Sequence, residues 1–171
     1  MTSNLPIEFA KTTQFMIPSC GLRPEVHLDM SLIYQGEHRL VEARTVNPAI
    51  YGDLEILFTQ GDAQARKLYS IVGYELAMAK KMLRAIKSEI ILDDWQDYKK
   101  EHKLTENATN RDAFLERNSK FVEIQDHIDM LTALETLLEG KTRIFKEVRT
   151  YMRKQIDILL RGIALDKYIS K

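Results

Sequence analysis

The side chains of this sequence best suited to chemistry are the basic residues near its C-terminus. At 100° per residue, six cations of a helix through this region fall within an arc of roughly 140°; they are Arg143, Lys146, Arg149, Arg153, Lys154 and Arg161. We call these six residues the cationic ridge. Apolar residues such as Phe145, Met152 and Leu159 lie mainly on the other side of the helix. The pattern predicts an inward apolar face and an outward cationic ridge, which is the electrostatic footprint of phosphate binding.

Two more cations extend this surface if the chain folds back on itself near residue 107. Arg66 and Lys67 then come level with Val148 and Glu147. The predicted phosphate ligands are therefore Arg66, Lys67, Arg143, Lys146, Arg149, Arg153 and Lys154. Four tyrosines lie among the basic segments and could stack on bases; they are Tyr69, Tyr74, Tyr151 and Tyr168. Charged stripes on long helices are more often simply solvated, and tyrosines at helical spacing more often belong to a core.

A second basic group is interpreted differently. This group comprises Lys80, Lys81, Arg84 and Lys87. The same fold-back brings these residues level with residues 127–134, so we expect their charges to be neutralised by Asp126, Asp129 and Glu135.

Charge is neutral overall but segregated along the chain. The 171 residues contain 25 basic and 25 acidic side chains. Residues 61–87 carry net charge +4 and residues 141–171 carry +6, whereas residues 1–60 carry −3 and residues 88–140 carry −7. Blocks of one sign point to a charged partner, or to neutralisation of one block by another within the fold.

Helical periodicity supplies the elements that must position these charges. From Phe121 to Ile163 a spacing of 3.5 residues selects mainly apolar residues, and positions from Leu68 to Ile90 repeat at three and four. This pattern is typical of helices that pair along a coiled-coil-like seam. We predict an all-α fold in which two long helices, about 62–103 and 109–169, form an antiparallel hairpin with a turn within 103–110. Asp62, after Gly61, is the expected N-cap of the first.

The first 60 residues are less regular. We expect an arm over residues 1–23, a helix from Pro24 to about Thr45, and a short helix over residues 48–59 introduced by Asn47-Pro48. The predicted organisation is an N-terminal region of arm and short helices, 1–60, followed by a long helical hairpin, 61–171.

No enzyme signature is found in the sequence. It has no phosphate-binding glycine loop, no nucleophile elbow and no zinc-protease motif. The four histidines lack metal-ligand spacing, and Cys20 is interpreted as a bystander. The carboxylates Asp93, Asp94, Asp97 and Glu101 could hold a cation, but a solvated acidic face is the better interpretation. We expect no catalytic residues, no metal and no cofactor, and an intracellular, cytoplasmic chain without a membrane span or signal peptide.

One stretch resembles a known family. Four segments follow one another in this stretch: a helix, the polar turn Lys103-Leu104-Thr105-Glu106, the segment from Phe121 to Lys141, and a basic helix through Arg149 and Arg153. This order resembles the helical core of phage recombination mediators of the UvsY type, over about residues 65–162. The resemblance implies a non-enzymatic protein that binds single-stranded DNA, assembles as a ring and helps a recombinase displace a single-strand-binding protein, in the host cytoplasm if the chain is phage-encoded.

Two other functions remain open at this stage. The charge blocks could instead set the register of a structural or adaptor hairpin that binds only protein partners. An enzyme ranks last because nucleophile, base and metal sets are all missing. Ile156, Leu159, Leu160 and Ile163 extend beyond the partner helix and are left for the N-terminal helices or another subunit. Because exposed apolar surface of this extent is usually a contact site, we also expect a homo-oligomer.

Overall fold

Helices dominate the computed structural model. It describes residues 13–20 and 25–169, and the side chains there except Phe15 and residues 164–169. Strands β1 (Gln14–Pro18) and β2 (Glu25–Asp29) pair in a two-stranded sheet. Five α-helices follow: α1 (Ser31–His38), α2 (Pro48–Asp93), α3 (Trp95–Glu101), α4 (Ala108–Leu115) and α5 (Ser119–Ile169), with a 3-10 turn at Glu42–Thr45. The all-α prediction is confirmed, with the small sheet as its one addition in the described residues.

The chain divides into two compact units. The first comprises Met1–Ile17, His27–Ser70 and Thr136–Lys171, and the second comprises Pro18–Val26 and Ile71–Glu135. Both long helices contribute to both units. Within each unit α2 and α5 run antiparallel: Phe58 packs on Phe145 in the first, and Gly73 lies beside Glu135 in the second.

The predicted seam forms the core. Ile128, Leu131, Leu134, Leu138, Phe145, Met152 and Ile156 of α5 are buried. On α2 the buried series Leu68, Val72, Leu76, Ala79 and Ile90 matches the predicted spacing, and it continues upstream through Ala65, Phe58 and Leu54. Leu159 and Ile163, at the end of the seam, are exposed together with Ile158 and Leu160. Ile156, which the spacing leaves for the N-terminal helices or another subunit, is buried within the chain itself.

The predicted boundary at Gly61-Asp62 is wrong. The expected helix over residues 48–59 and the one beginning at residue 62 are a single helix, α2, whose first turn is capped by the Asn47 side chain. Gly61 is accommodated inside the helix because the Phe145 ring occupies the space where its side chain would be. Asp62 is 6% exposed and pairs with Arg66, so it is not an N-cap.

Other boundaries also differ from the prediction. The expected helix from Pro24 begins outside the described residues, and Glu25–Asp29 form a strand instead, with alternate residues Val26 and Leu28 buried. The polar break is real, but its loop runs from His102 to Asn107, and Asn107 rather than Thr109 caps α4. Two short helices, α3 and α4, therefore stand between the long ones.

The connection between the long helices has its own small core in the second unit. Trp95 is 1% exposed and packs against Phe114, with ring centroids 5.5 Å apart. Its indole N–H donates to the carboxylate of Glu106, at 3.0 and 3.1 Å from the two oxygens. Lys99 donates to the same carboxylate at 2.8 Å. These bonds fasten the loop after α3 to the helix itself.

We predict that alanine at Gly61 destabilises the protein and that alanine at Gly140 does not. A Cβ at residue 61 would lie 2.9 and 3.0 Å from Phe145 ring atoms and 3.3 Å from the Leu32 carbonyl oxygen. Overpacking of this kind costs about 1–3 kcal/mol. Gly140 meets nothing within 4 Å, so Gly140→Ala should gain up to about 1 kcal/mol of helix propensity. Urea unfolding of both variants measures the difference, and equal midpoints would contradict the packing at Gly61.

We predict an acid transition in the fluorescence of Trp95, the only tryptophan. Hydrogen bonds from Lys99 and Trp95, with the nearby charges of Lys99 and Arg111, lower the pKa of Glu106. The ionised Glu106 carboxylate therefore stabilises the fold around Trp95 fully above the ordinary glutamate pKa of about 4.3. This contribution to the free energy of unfolding is lost as pH falls through the lower pKa of Glu106 in the folded state. A fluorescence titration should show a midpoint below that ordinary value. Glu106→Gln should abolish the transition, whereas Glu101→Gln should keep it.

Candidate nucleic-acid interface

All seven predicted phosphate ligands belong to the first compact unit. Arg66 and Lys67 lie on α2, and the other five lie on α5. By sequence, this unit carries 14 basic and 11 acidic residues, net +3, whereas the second unit carries net −3. The predicted ligands thus lie in the more basic unit. They differ in whether their charged groups are paired with carboxylates or exposed to solvent.

Three of the seven are held by two carboxylates of α2, and Glu55 holds two of these. Its Oε1 accepts hydrogen bonds from Nε and Nη2 of Arg149 at 3.2 and 3.1 Å, and from Nη2 of Arg153 at 2.6 Å. Glu55 and Arg149 are only 20% and 23% exposed, whereas Arg153 is 58% exposed. Glu55 is therefore a half-buried anion under two guanidinium groups.

Asp62 forms the second part of this cluster, two turns further along α2. Its two oxygens accept from Nε and Nη2 of Arg66 at 3.0 and 3.1 Å, a bidentate pair. Nη1 of Arg149 lies 3.7 Å from Asp62 Oδ2. Arg149 thus bridges the two carboxylates, and we call Glu55, Asp62, Arg66, Arg149 and Arg153 the arginine–carboxylate cluster.

The pKa shifts follow from this geometry. Burial would raise the pKa of Glu55, but hydrogen bonds and charge from Arg153 and Arg149 outweigh it, so the pKa is lowered. The hydrogen bond with Glu55 raises the pKa of Arg153 in turn, and that with Asp62 raises the pKa of Arg66. Glu55, Arg66 and Arg153 are therefore charged at neutral pH.

The predicted outward placement of Arg149 is therefore wrong. Arg149 lies on the seam itself, between the buried residues Phe145 and Met152, and it turns toward α2 rather than toward solvent. Arg66 and Arg153 are exposed, as predicted, but each is already paired with a carboxylate. These three residues are not free phosphate ligands in this conformation.

The other four predicted ligands are exposed on the surface. None of them forms an ion pair with any residue in the described ranges; they are Lys67, Arg143, Lys146 and Lys154. The three on α5 lie on one side of the helix, opposite the buried Phe145 and Met152. This free part of the cationic ridge is open to an external anion.

The second basic group is not neutralised as expected. Lys87 pairs with Asp112 at 3.4 Å, not with a carboxylate of α5. Lys80, Lys81 and Arg84 are exposed and have no ion pair among the described residues. The second unit therefore also presents free cations on α2, which the sequence interpretation had assigned to internal neutralisation.

The tyrosines are available at the surface. Tyr69 is 38%, Tyr151 is 44% and Tyr74 is 51% exposed, so none of the three belongs to the core. The side chain of Tyr168 lies outside the described residues. Tyr69 and Tyr151 share the first unit with the free part of the cationic ridge.

A buried polar cluster in the second unit escaped sequence reasoning. Glu75 is 4% exposed and accepts from the Ser19 hydroxyl at 3.0 Å and from the Cys20 backbone N–H at 2.8 Å. Burial and Glu75 raise the pKa of the Cys20 thiol, and burial lowers the pKa of His127. A protonated thiol is a poor nucleophile, so the arrangement fixes the segment after β1 rather than activating Cys20. A glutamate amid the apolar spacing of α2 was the signal available in sequence.

No metal centre is formed by the residues described: no group of three His, Cys, Asp or Glu among them is placed to hold an ion. This includes the acidic residues at the end of α2 and in α3. In the same part of the chain, no helix is both long and apolar enough to cross a membrane.

Comparison of the chain with protein-family models, curated proteins and solved structures finds no match.

We predict that Arg149→Glu destabilises the protein. The change removes the bridge and adds a third carboxylate beside Glu55 and Asp62, at a site only 23% exposed. The expected loss is roughly 3 kcal/mol, the scale for breaking a buried ion pair. Arg143→Glu makes the same charge change at an exposed position and should stay within about 0.5 kcal/mol. Thermal unfolding compares them; equal stabilities would mean that the arginine–carboxylate cluster contributes nothing to folding.

Proposed function

We propose that this chain is a non-enzymatic protein that binds single-stranded DNA and acts as an accessory protein in recombination. The observation that carries the proposal is the set of exposed cations without ion pairs in the first unit, Lys67, Arg143, Lys146 and Lys154. Positive groups of this kind attract a phosphate backbone and release its counterions on binding. Arg143, Lys146 and Lys154 form a row along one side of α5 rather than a pocket, and such a row favours a polymeric anion over a small one.

The dimensions of the surface support a strand as the ligand. Arg143 and Lys154 are eleven residues apart on α5, which is about 16 Å at 1.5 Å per residue. Tyr69 and Tyr151, exposed in the same unit, offer rings on which unpaired bases can stack. Stacking needs bases that are free of a duplex, so the tyrosines favour single-stranded over double-stranded DNA.

Binding by this surface should be indifferent to sequence. Base edges are read by bidentate side chains such as arginine forks and amides. Of the four arginines among the predicted ligands, Arg66, Arg149 and Arg153 have their guanidinium groups engaged by carboxylates, which leaves Arg143 as the one free fork among them. Lysines reach phosphates as point charges and carry no sequence information.

The role in recombination rests on the resemblance to mediators of the UvsY type, which also suggests a recombinase and a single-strand-binding protein as partners in the cytoplasm. A homo-oligomer fits the same proposal. Ile158, Leu159, Leu160 and Ile163 are 40–64% exposed near the end of α5, and apolar groups gathered in this way are typical of contact sites.

We predict that reversing the free cations weakens binding to all single strands alike. The triple variant Arg143→Glu, Lys146→Glu, Lys154→Glu should bind a labelled oligothymidylate more weakly. It should also flatten the slope of log affinity against log salt by about 0.7 per lost phosphate contact. Fluorescence anisotropy over a range of salt measures both quantities, and circular dichroism should show unchanged helix content.

The matched control reverses three exposed lysines of the second unit that form no ion pair with the described residues, Lys81, Lys103 and Lys120. This control has the same net charge as the triple variant and should retain most of the affinity. Equal losses in the two variants would show only a response to net charge. Absence of binding by the wild-type chain at low salt would favour the adaptor hairpin that binds protein partners alone.

A further inference from the structure

The arginine–carboxylate cluster contains an unequal pairing. The Asp62–Arg66 pair uses both carboxylate oxygens, one for each guanidinium nitrogen. At Glu55, by contrast, Arg149 and Arg153 both donate to Oε1. Glu55 Oε2 is buried and has no hydrogen-bond partner in the described part of the chain. A buried carboxylate oxygen without a partner carries a desolvation cost that is not offset, so Glu55 is held less well than Asp62.

The two arginines that hold Glu55 are arranged as they would be around an external oxyanion. Their N–H groups converge on one oxygen, with donor–acceptor distances of 2.6–3.2 Å. Arg153 is 58% exposed, so an anion in solution can approach it without opening the core. Arg149 keeps a second carboxylate, Asp62, at 3.7 Å, and would not be left unpaired if Glu55 moved away.

We propose that Glu55 is an internal competitor that occupies Arg149 and Arg153 in place of a DNA phosphate and so limits the affinity of the free chain for single-stranded DNA. The inference rests on the proposed function and concerns the regulation of that same surface. Lys154, a free cation, is adjacent in sequence to Arg153. A strand bound along Lys146 and Lys154 would bring phosphates to Arg153, where they compete with Glu55.

The competition has a defined energetic form. Binding by the four free cations alone leaves Glu55 in place, and recruiting Arg153 requires exchange of a carboxylate for a phosphate. A ligand shifts such an equilibrium only by its differential affinity for the two states. Removing the Glu55 carboxylate should therefore add phosphate contacts, because in the wild-type chain only a fraction of the bound molecules exchange Glu55 for a phosphate.

The experiment compares Glu55→Gln with Asp53→Asn. Both variants remove one negative charge from α2, but Asp53 is exposed and forms no ion pair with the described residues. With labelled oligothymidylate, Glu55→Gln should bind about fivefold more tightly than Asp53→Asn, the scale of one partly exposed ion pair such as Arg153–Glu55. Its slope of log affinity against log salt should be steeper by about 0.7 to 1.4, for one or two additional phosphate contacts.

A third variant assigns the gain to the arginine. Arg153→Gln should weaken binding little in the wild-type background, where Glu55 engages the guanidinium. In the Glu55→Gln background it should remove most of the gain. Glu55→Asp retains the charge but has a side chain one methylene shorter, and should give an intermediate affinity; it also tests the proposal if Glu55→Gln folds poorly.

The outcomes separate this inference from the proposed function. If the wild-type chain binds and Glu55→Gln and Asp53→Asn bind equally, the competitor role is overturned and the proposed function stands. The same holds if the gain persists when Arg153→Gln is added. If neither the wild-type chain nor any variant binds at low salt, both proposals fail.

Discussion

The packing of the Phe145 ring sets the register on which the first compact unit depends. The ring fills space that a side chain at either Gly36 or Gly61 would occupy, and it stacks on Phe58 with centroids 6.0 Å apart. Because α5 continues as a regular helix, Arg149 follows one turn later and Arg153 two turns later. Both therefore reach Glu55, which lies about one turn before Phe58 on the antiparallel α2. An apolar contact thus decides which charges meet.

This register divides the basic residues of α5 by their angle to the seam. Arg149 lies on the seam and turns inward, and Arg153 pairs with Glu55 from a more exposed position. Arg143, Lys146 and Lys154 point away from the core and remain exposed. One helix therefore carries both a structural charge network and a free cationic surface. The first holds α5 against α2 within its unit, and the second is available to a ligand.

Much of this architecture was predictable from sequence. Apolar spacing identified both long helices and most of their buried residues, and Asn47-Pro48 marked the true start of α2. Gly61-Asp62 misled because a glycine followed by an aspartate usually marks a boundary. Inside the helix, Gly61 leaves room for the Phe145 ring, and Asp62 forms an ion pair with Arg66 four residues later. The strand at Glu25–Asp29 was missed because only two apolar residues, Val26 and Leu28, mark its alternating pattern. A pattern this short does not stand out in the sequence.

Charge pairing was the least predictable feature, for a physical reason. A symmetric fold-back at residue 107 places Phe58 opposite Ile156, whereas the ring contact places it at Phe145, three turns away. Ion pairs reach only about 4 Å, so an error of even one turn changes every partner. Net charge by block, such as +6 over residues 141–171, is unaffected by register. The sequence could therefore locate the basic surface, but the division of its members between Glu55, Asp62 and solvent required the packing of the core.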